Sequence, residues 1–261
     1  MCGIFGVVPA AALKPQQLQR VNRLFTTLTV LSTSRGQDAA GGALVQRGGD
    51  MAMFKRDVPG HTIVRDTVWH QLLGRADQET TMWMGHTRAA TCGPNTSPNA
   101  HPFEFSHALY GRLLGSHNGM LWNYHSFDGI TNTDVHPVDS ACLFAWLSKH
   151  QQSEWGEKLS KVGGFYALAM YREGRIHFAR NAGAPLMLAY IPILSSWVYA
   201  STSTILTGAL KHCGLGWKVM NELPVNRIYS IPEGVNGKLE IQVIPEYTGT
   251  ETPWWECVYG R

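Results

Sequence analysis

The 261-residue chain reads as an α+β protein in which antiparallel sheets carry helices on their outer faces. Two observations point there. Short strand-like runs recur at close intervals with turn residues between them, and the first clear helical pattern follows directly on a short apolar strand. Hairpins clustered in this way favour antiparallel pairing.

Cys2 to Val8 is apolar and closed by Pro9, which reads as a buried strand. After Pro15, the residues Leu18, Val21, Leu24, Phe25, Leu28 and Leu31 fall at spacings of three and four, the signature of an amphipathic helix. Ala43–Val45 and Met51–Phe54 flank the turn Gly48-Gly49-Asp50 and predict a hairpin, and a second helical stretch spans Ile63 to Leu73. Strands are expected at Thr81–Arg88, His107–Ser116, Phe165–Tyr171, Arg175–Phe178, Leu186–Ile191 and Trp197–Ser201. Helices are expected over Ser140–Lys149 and Thr204–His212. The last strands fall near Ile228–Ile231 and Leu239–Ile244, with turns at Glu233-Gly234 and Asn236-Gly237.

A chain of this length can bury enough surface for one large core, and no repeat or polar linker divides it. One domain over 1–261 is expected, with a tail at 245–261 whose Trp254-Trp255 pair packs on the core or on a partner. The 22 basic and 19 acidic side chains give a net charge of +3 without a basic run, which argues against nucleic acid as a partner. No apolar run approaches the ~18 residues that cross a bilayer, and the N-terminus lacks the order of a secretory signal, so no membrane contact and a cytoplasmic location are expected. The 5 cysteines include no CxxC pair and should be reduced thiols. The 11 histidines follow no metal-ligand spacing, and the glycine doublets do not form a phosphate-binding motif; no metal and no cofactor are expected.

Cys2 is the residue most suggestive of chemistry. Once Met1 is removed, a thiol and a free α-amine share one residue. An amine with a reference pKa near ~8 can take the proton of a thiol near ~8.5, directly or through one water, so that the nucleophile carries its own base. Taken alone, a cysteine at the head of a strand reads first as a small buried hydrophobe.

Further clusters decide between these readings. Ser34-Arg35-Gly36-Gln37-Asp38-Ala39-Ala40-Gly41, Gly85-His86-Thr87-Arg88-Ala89-Ala90-Thr91, Asn99-Ala100-His101-Pro102, Ser116-His117-Asn118-Gly119 and Val138-Asp139-Ser140 follow Cys2 in that order. The series resembles the class II glutamine amidotransferase domain of the N-terminal-nucleophile (Ntn) hydrolases, in stand-alone form, over roughly residues 2 to 235. The resemblance implies a four-layer αββα sandwich of two antiparallel sheets with the nucleophile at the start of a central strand. It implies that Cys2 attacks the side-chain amide of L-glutamine, and that the Asn118 amide and the Gly119 N–H stabilise the oxyanion.

Free glutamine presents an α-carboxylate and an α-ammonium, which Arg88 and Asp139 suit by charge; Asp139 also suits the cap of the helix expected over Ser140–Lys149. By the same resemblance Thr87 and Thr91 line the pocket, while His86, His101 and His117 support it. Arg35 and Asp38 are expected to form an ion pair or loop anchor beside the N-terminal strand. Three residues depart from the family pattern: Ala89 replaces a large aromatic, Ala141 an acidic residue, and Asn181 an Asp after Arg180.

The expected function is therefore glutamine hydrolysis through a Cys2 thioester, with ammonia passed to an acceptor on a separate synthetase subunit, because too little chain follows residue 240 for a second catalytic domain. Two alternatives share the scaffold. One is an amidohydrolase of a larger γ-glutamyl amide without ammonia transfer, admitted by Ala89; the other is a non-catalytic binding protein if Met1 is retained.

Overall fold

A computed structural model of the chain describes residues 1–127, 136–232 and 240–245. In chain order, β1 (Gly3–Pro9) is followed by α1 (Pro15–Ser32), the hairpin β2 (Ala39–Gln46) and β3 (Met51–Arg56), and the short helices α2 (Gly60–Ile63) and α3 (Thr67–Gly74). Next come β4 (Thr80–Arg88), β5 (Phe103–His107), β6 (Gly111–Leu121), α4 (Asp139–Ser148) and α5 (Trp155–Leu159). The remaining elements are β7 (Gly164–Arg172), β8 (Arg175–Arg180), β9 (Met187–Ile191), β10 (Ser196–Ala200), α6 (Ser203–His212), β11 (Val219–Glu222), β12 (Arg227–Pro232) and β13 (Glu240–Val243).

The strands form two antiparallel sheets, one in the order β11-β9-β10-β1-β4-β2-β3 and the other β13-β12-β8-β7-β6-β5. Side-chain alternation sorts each strand between two cores. Ile4 and Val8 of β1 and Met82 and Met84 of β4 face Leu114, Ala167, Ala169 and Phe178 of the other sheet. Phe5, Val7 and Trp83 point the opposite way, onto α1, α3 and α6. On the far side, Leu168 and Met170 of β7 meet α4 and α5. The layers therefore run helix, sheet, sheet, helix, the four-layer sandwich that the resemblance implied.

Several expectations need correction. The stretch Ile63–Leu73 is two helices, because Asp66 caps α3 by accepting from Val68 N at 2.9 Å and so ends the run before it. The single strand expected at His107–Ser116 is the junction of a hairpin: β5 ends at His107, and Gly111, at φ +68°, turns the chain into β6. Asn118-Gly119 consequently lies inside β6 and does not follow it. Asp139 is the first helical residue of α4, with Val138 at the cap position. α5 and β11 lacked a clear periodic signal. The expected turns at Glu233-Gly234 and Asn236-Gly237 and the tail from Tyr247, with Trp254-Trp255, lie outside the described residues. Among the described residues no helix is long and apolar enough to cross a membrane, and Cys2, Cys92, Cys142 and Cys213 are free.

Phe25 joins the first two layers. Its ring lies 5.5 Å from Trp69 in a stacked arrangement and 5.6 Å from Phe5, directly above the cysteine-bearing strand. Phe25→Ala should destabilise the fold by about 3–5 kcal/mol, measured by urea unfolding. A loss below about 1 kcal/mol would show that α1 is not anchored through this cluster.

Candidate active site

The site begins where β1 and β4 pair, with Gly3 opposite Thr87. That pairing carries Cys2 to the end of β4, where Ala89 N–H donates to Cys2 Sγ at 3.3 Å and the thiol reaches the Ala89 carbonyl at 3.4 Å. Glycine is required beside the cysteine for a steric reason: a Cβ at Gly3 would stand 2.6 Å from Thr87 Oγ1 and 3.0 Å from Ser32 Cβ. Arg35 Nε donates to the Cys2 carbonyl at 2.7 Å, and its Nη2 lies 3.7 Å from Met1 Sδ. Met1 is 71% exposed, and Cys2 beneath it is 8% exposed.

Met1, Cys2, Arg35, Thr91, Asn118 and Gly119 line a cavity of about 110 Å³, which Met120, Phe165 and the segment Gly183-Ala184-Pro185 close. Burial pushes the Cys2 thiol above its ordinary pKa. The Ala89 N–H, the chain N-terminus and Arg88 pull it down, and Asp139 pushes it up; burial is the largest of these effects.

Asn118 and Gly119 are presented by an edge. β5 begins at Phe103, opposite Gly115, so among the described residues no strand lies beside the outer edge of β6 beyond Gly115. Alternation sends the peptide groups of residues 117, 119 and 121 to that edge. His117 N–H donates to His101 Nδ1 at 3.1 Å, the His117 carbonyl lies 2.9 Å from His86 Nε2, and Leu121 N–H donates to Asp139 Oδ2 at 2.9 Å. Gly119 lies between these bonded positions and lines the cavity. A Cβ there would meet the Phe165 carbonyl at 1.9 Å, and its φ of +151° also favours glycine. The Asn118 amide donates to Ser201 Oγ at 3.3 Å, and the same oxygen accepts from Ile4 N at 2.8 Å. Ser201 thus ties β6 to β1.

The other candidates lie around the cavity. Arg88 is buried, and its guanidinium donates to the carbonyls of Cys92 at 2.6 Å and Pro94 at 3.0 Å. Asp139 Oδ1 accepts from Ser140 N at 2.8 Å and from Ser140 Oγ at 3.3 Å. Both charges act on the Cys2 sulfur, although neither side chain is among those lining the cavity beneath Met1. Thr87 departs from the expected pocket role, since its hydroxyl donates to Ser32 O at 2.7 Å in a fully buried place. Thr91 does line the cavity.

Asp38 anchors the loop after β4, accepting from Ala90 N at 2.7 Å and, through its carbonyl, from Asn95 Nδ2 at 3.0 Å. Arg35 and Asp38 form no ion pair with each other in the described residues; they are separate anchors. His86 and His101 are buried and stack at 4.0 Å, and burial holds both well below the usual imidazole pKa, His86 at about 3. His117 Nδ1 lies 2.8 Å from Ser140 Oγ; burial lowers its pKa, against the opposing pull of Asp139.

Sequence reasoning missed Ser201, Phe165 and the Gly183–Pro185 wall, which carry no local motif. Asn181 offered a signal, as a departure from the family pattern. Its Oδ1 accepts from Tyr166 N at 3.0 Å while its Nδ2 donates to Gly164 O at 2.8 Å, fixing the start of β7 beside Phe165. Among the described residues no cluster of three His, Cys, Asp or Glu side chains is placed to hold a metal.

Cys2, Asn118 and Gly119 thus line one small cavity, and a thiol beside amide donors is the equipment needed to attack a carbonyl and hold the resulting oxyanion. No protein-family profile matches the chain. Over 210 residues it is 30% identical to a glutamine–fructose-6-phosphate aminotransferase (isomerizing) of Gluconobacter oxydans, covering 73% of this chain and 30% of that one. The chain belongs to the class II glutamine amidotransferase domain family.

A probable enzyme of the same name from Acanthamoeba polyphaga mimivirus is 28% identical over 207 residues, covering 73% of this chain and 31% of the relative. The amidotransferase domain thus spans about 30% of the length of these curated relatives. Among solved structures, the glutamine phosphoribosylpyrophosphate amidotransferase of B. subtilis overlays with a TM-score of 0.67 at 20% identity, covering 94% of this chain and 49% of that one. A glutamine aminotransferase class-II domain protein from Silicibacter pomeroyi gives a TM-score of 0.52 at 13% identity, covering 92% of this chain and 99% of the other. The shared fold is that of the Ntn hydrolases.

Two outcomes follow for the amidotransferase domain. With Met1 retained, the alkylation rate of Cys2 should rise with pH through an inflection above the ordinary thiol range, since burial disfavours the thiolate. An inflection below that range, followed by mass spectrometry of the Cys2 peptide, would contradict the dominance of burial. Asn181→Asp removes the donor to Gly164 O and should cost about 1–3 kcal/mol in urea unfolding. An unchanged midpoint would mean that the amide donor is not needed.

Proposed function

We propose that the domain hydrolyses the side-chain amide of L-glutamine, with Cys2 as nucleophile after removal of Met1. The observation that carries this reading is the shared cavity of Cys2, Asn118 and Gly119. The Cys2 thiolate attacks the amide carbon, and the oxyanion is held by the Asn118 amide and the Gly119 N–H. The α-amine first takes the thiol proton and then returns it to departing ammonia. Water next cleaves the γ-glutamyl thioester to glutamate.

Arg88 binds the α-carboxylate and Asp139 the α-ammonium, each through the hydrogen-bonding capacity left over from its loop or helix contacts. Thr91 completes the pocket wall. In this reading, removing Met1 also releases Arg35 Nη2 from the methionine sulfur at the cavity mouth.

Ammonia is the useful product and passes to an acceptor site on a separate synthetase subunit. The domain is assigned to the cytoplasm, where free glutamine is available.

The processed protein, its mass showing loss of Met1, should release glutamate from glutamine, and diazo-oxo-norleucine should label Cys2. Cys2→Ala should abolish both, and Asn118→Ala should lower kcat about 10²- to 10³-fold. Absence of both hydrolysis and labelling in the processed protein, alone or with candidate synthetases, would overturn the glutaminase reading.

A further inference from the structure

The fully buried histidines His86 and His101 have no part in the proton transfers above. Their bonds nevertheless fall at one informative place. β6 outruns β5, and the first outward-facing peptide groups left without a strand partner are those of His117. One imidazole takes its N–H and another its carbonyl, at 3.1 and 2.9 Å. We propose that His86 and His101 are positioning residues that replace the missing strand beside β6 and thereby aim the next outward amide, Gly119 N–H, into the Cys2 cavity.

The bond partners fix the tautomers. A carbonyl only accepts, so His86 carries its proton on Nε2; His101 accepts at Nδ1, so its proton is on Nε2 as well. Both rings are neutral, and each serves one backbone group, as a neighbouring strand would. They stack at 4.0 Å, 14° from parallel, and His101 also meets the Phe103 ring edge-on at 4.6 Å. The stack therefore begins at Phe103, the first β5 residue, whose pair with Gly115 is the final one along β6, and extends the sheet by side chains. Gly41 allows the close approach on the other side, since a Cβ there would lie 2.1 Å from the His101 carbonyl.

Beyond Gly119 the edge is held again, where Asp139 takes the N–H of Leu121. Fixed on both sides, the Gly119 N–H has little freedom to turn. An ordinary strand in place of the imidazoles would continue its pairing and bond the Gly119 N–H as well. Two rings that stop after His117 satisfy the buried edge and leave that amide to a ligand.

The role rests on the glutaminase reading, and its test separates the two. In the processed protein, His101→Leu removes the acceptor and His86→Phe keeps a stacking ring without the donor. Each should lower kcat for glutamine hydrolysis about 10- to 100-fold per diazo-oxo-norleucine-titrated site, with KM within about twofold. His101→Asn, which restores an acceptor at the Nδ1 position, and His86→Gln, which restores a donor at the Nε2 position, should recover kcat to within about fivefold. A purely structural role would lower the titrated fraction and leave kcat per site unchanged, and that result overturns the proposal.

Amide exchange by NMR gives a second reading that needs no activity. His101→Leu should speed exchange at His117 and Gly119 at least tenfold over His101→Asn, with Ala167 on β7 unchanged. Equal exchange in the two variants would overturn the strand-replacement role even if the wild type hydrolyses glutamine. A wild type without hydrolysis would remove the glutaminase reading and leave the exchange comparison to decide the backbone role. Should His101→Leu not fold, the comparison of His86→Phe with His86→Gln decides by the same two measurements.

Discussion

A strand buried in a four-layer sandwich has to satisfy its backbone on both edges, and β6 outruns its neighbour just where the candidate site begins. Each buried peptide group left unpaired would cost about 1–3 kcal/mol, a large fraction of a domain's net stability. Among the described residues this demand is met without another strand: two imidazoles take the His117 groups and the Asp139 carboxylate takes Leu121 N–H. Between these satisfied positions lies Gly119, which stands in the wall of the Cys2 cavity. Stability and chemistry thus draw on the same row of backbone groups, and it is this row that gives the fully buried histidines a purpose.

The other half of the site depends on close approach of backbones. A Cβ at Gly3 would strike Thr87 Oγ1, and one at Gly36 would lie 2.5 Å from the Arg88 carbonyl carbon. With glycine at both positions, the end of α1 and the segment after it press against β1 and β4. Arg35 then reaches the Cys2 carbonyl, and the Thr87 hydroxyl is held by Ser32 O. Phe5, Phe25 and Trp69 fill the layer above β1 and hold it in place, so Cys2 sits at the head of a well-anchored strand although it is next to the chain terminus.

Much of this was legible because it is local. The apolar spacing of α1, the alternation of the inner strands and the ordered motif clusters could be read along the chain, and they brought Cys2, Arg35, Thr91, Asn118 and Gly119 to one cavity. Features that depend on long-range registration were not legible. The end of β5 at His107 and the placement of Asn118-Gly119 inside β6 follow from pairing across the sheet, which a dipeptide cannot report. Thr87 belongs to a motif, yet the nearest carbonyl, Ser32 O, comes from a helix 55 residues away and turns its hydroxyl from the pocket. Ser201 holds Asn118 and Ile4 together from the end of β10, and an isolated serine after a strand carries no signal of that role. Asn181 is different: as a departure from the family pattern it marked a place where an amide can donate and accept at once, which a carboxylate cannot do.

The electrostatics of Cys2 explain why the proposed chemistry needs an amine on the same residue. Arg88, the Ala89 N–H and the positive chain terminus all favour the thiolate, yet burial outweighs them and the net shift is upward. The surroundings alone therefore keep the sulfur protonated near neutral pH. Among the described residues the hydrogen bonds of the Cys2 sulfur go to Ala89 and not to any of the three histidines nearby, and burial lowers the pKa of all three rings. A group able to take the thiol proton has to arrive from elsewhere. In the glutaminase reading the only change it requires is loss of Met1, which converts an amide nitrogen without basicity into an amine attached to the nucleophile itself. The same event clears the cavity mouth that the methionine side chain lines, so base and substrate access would be created in one step.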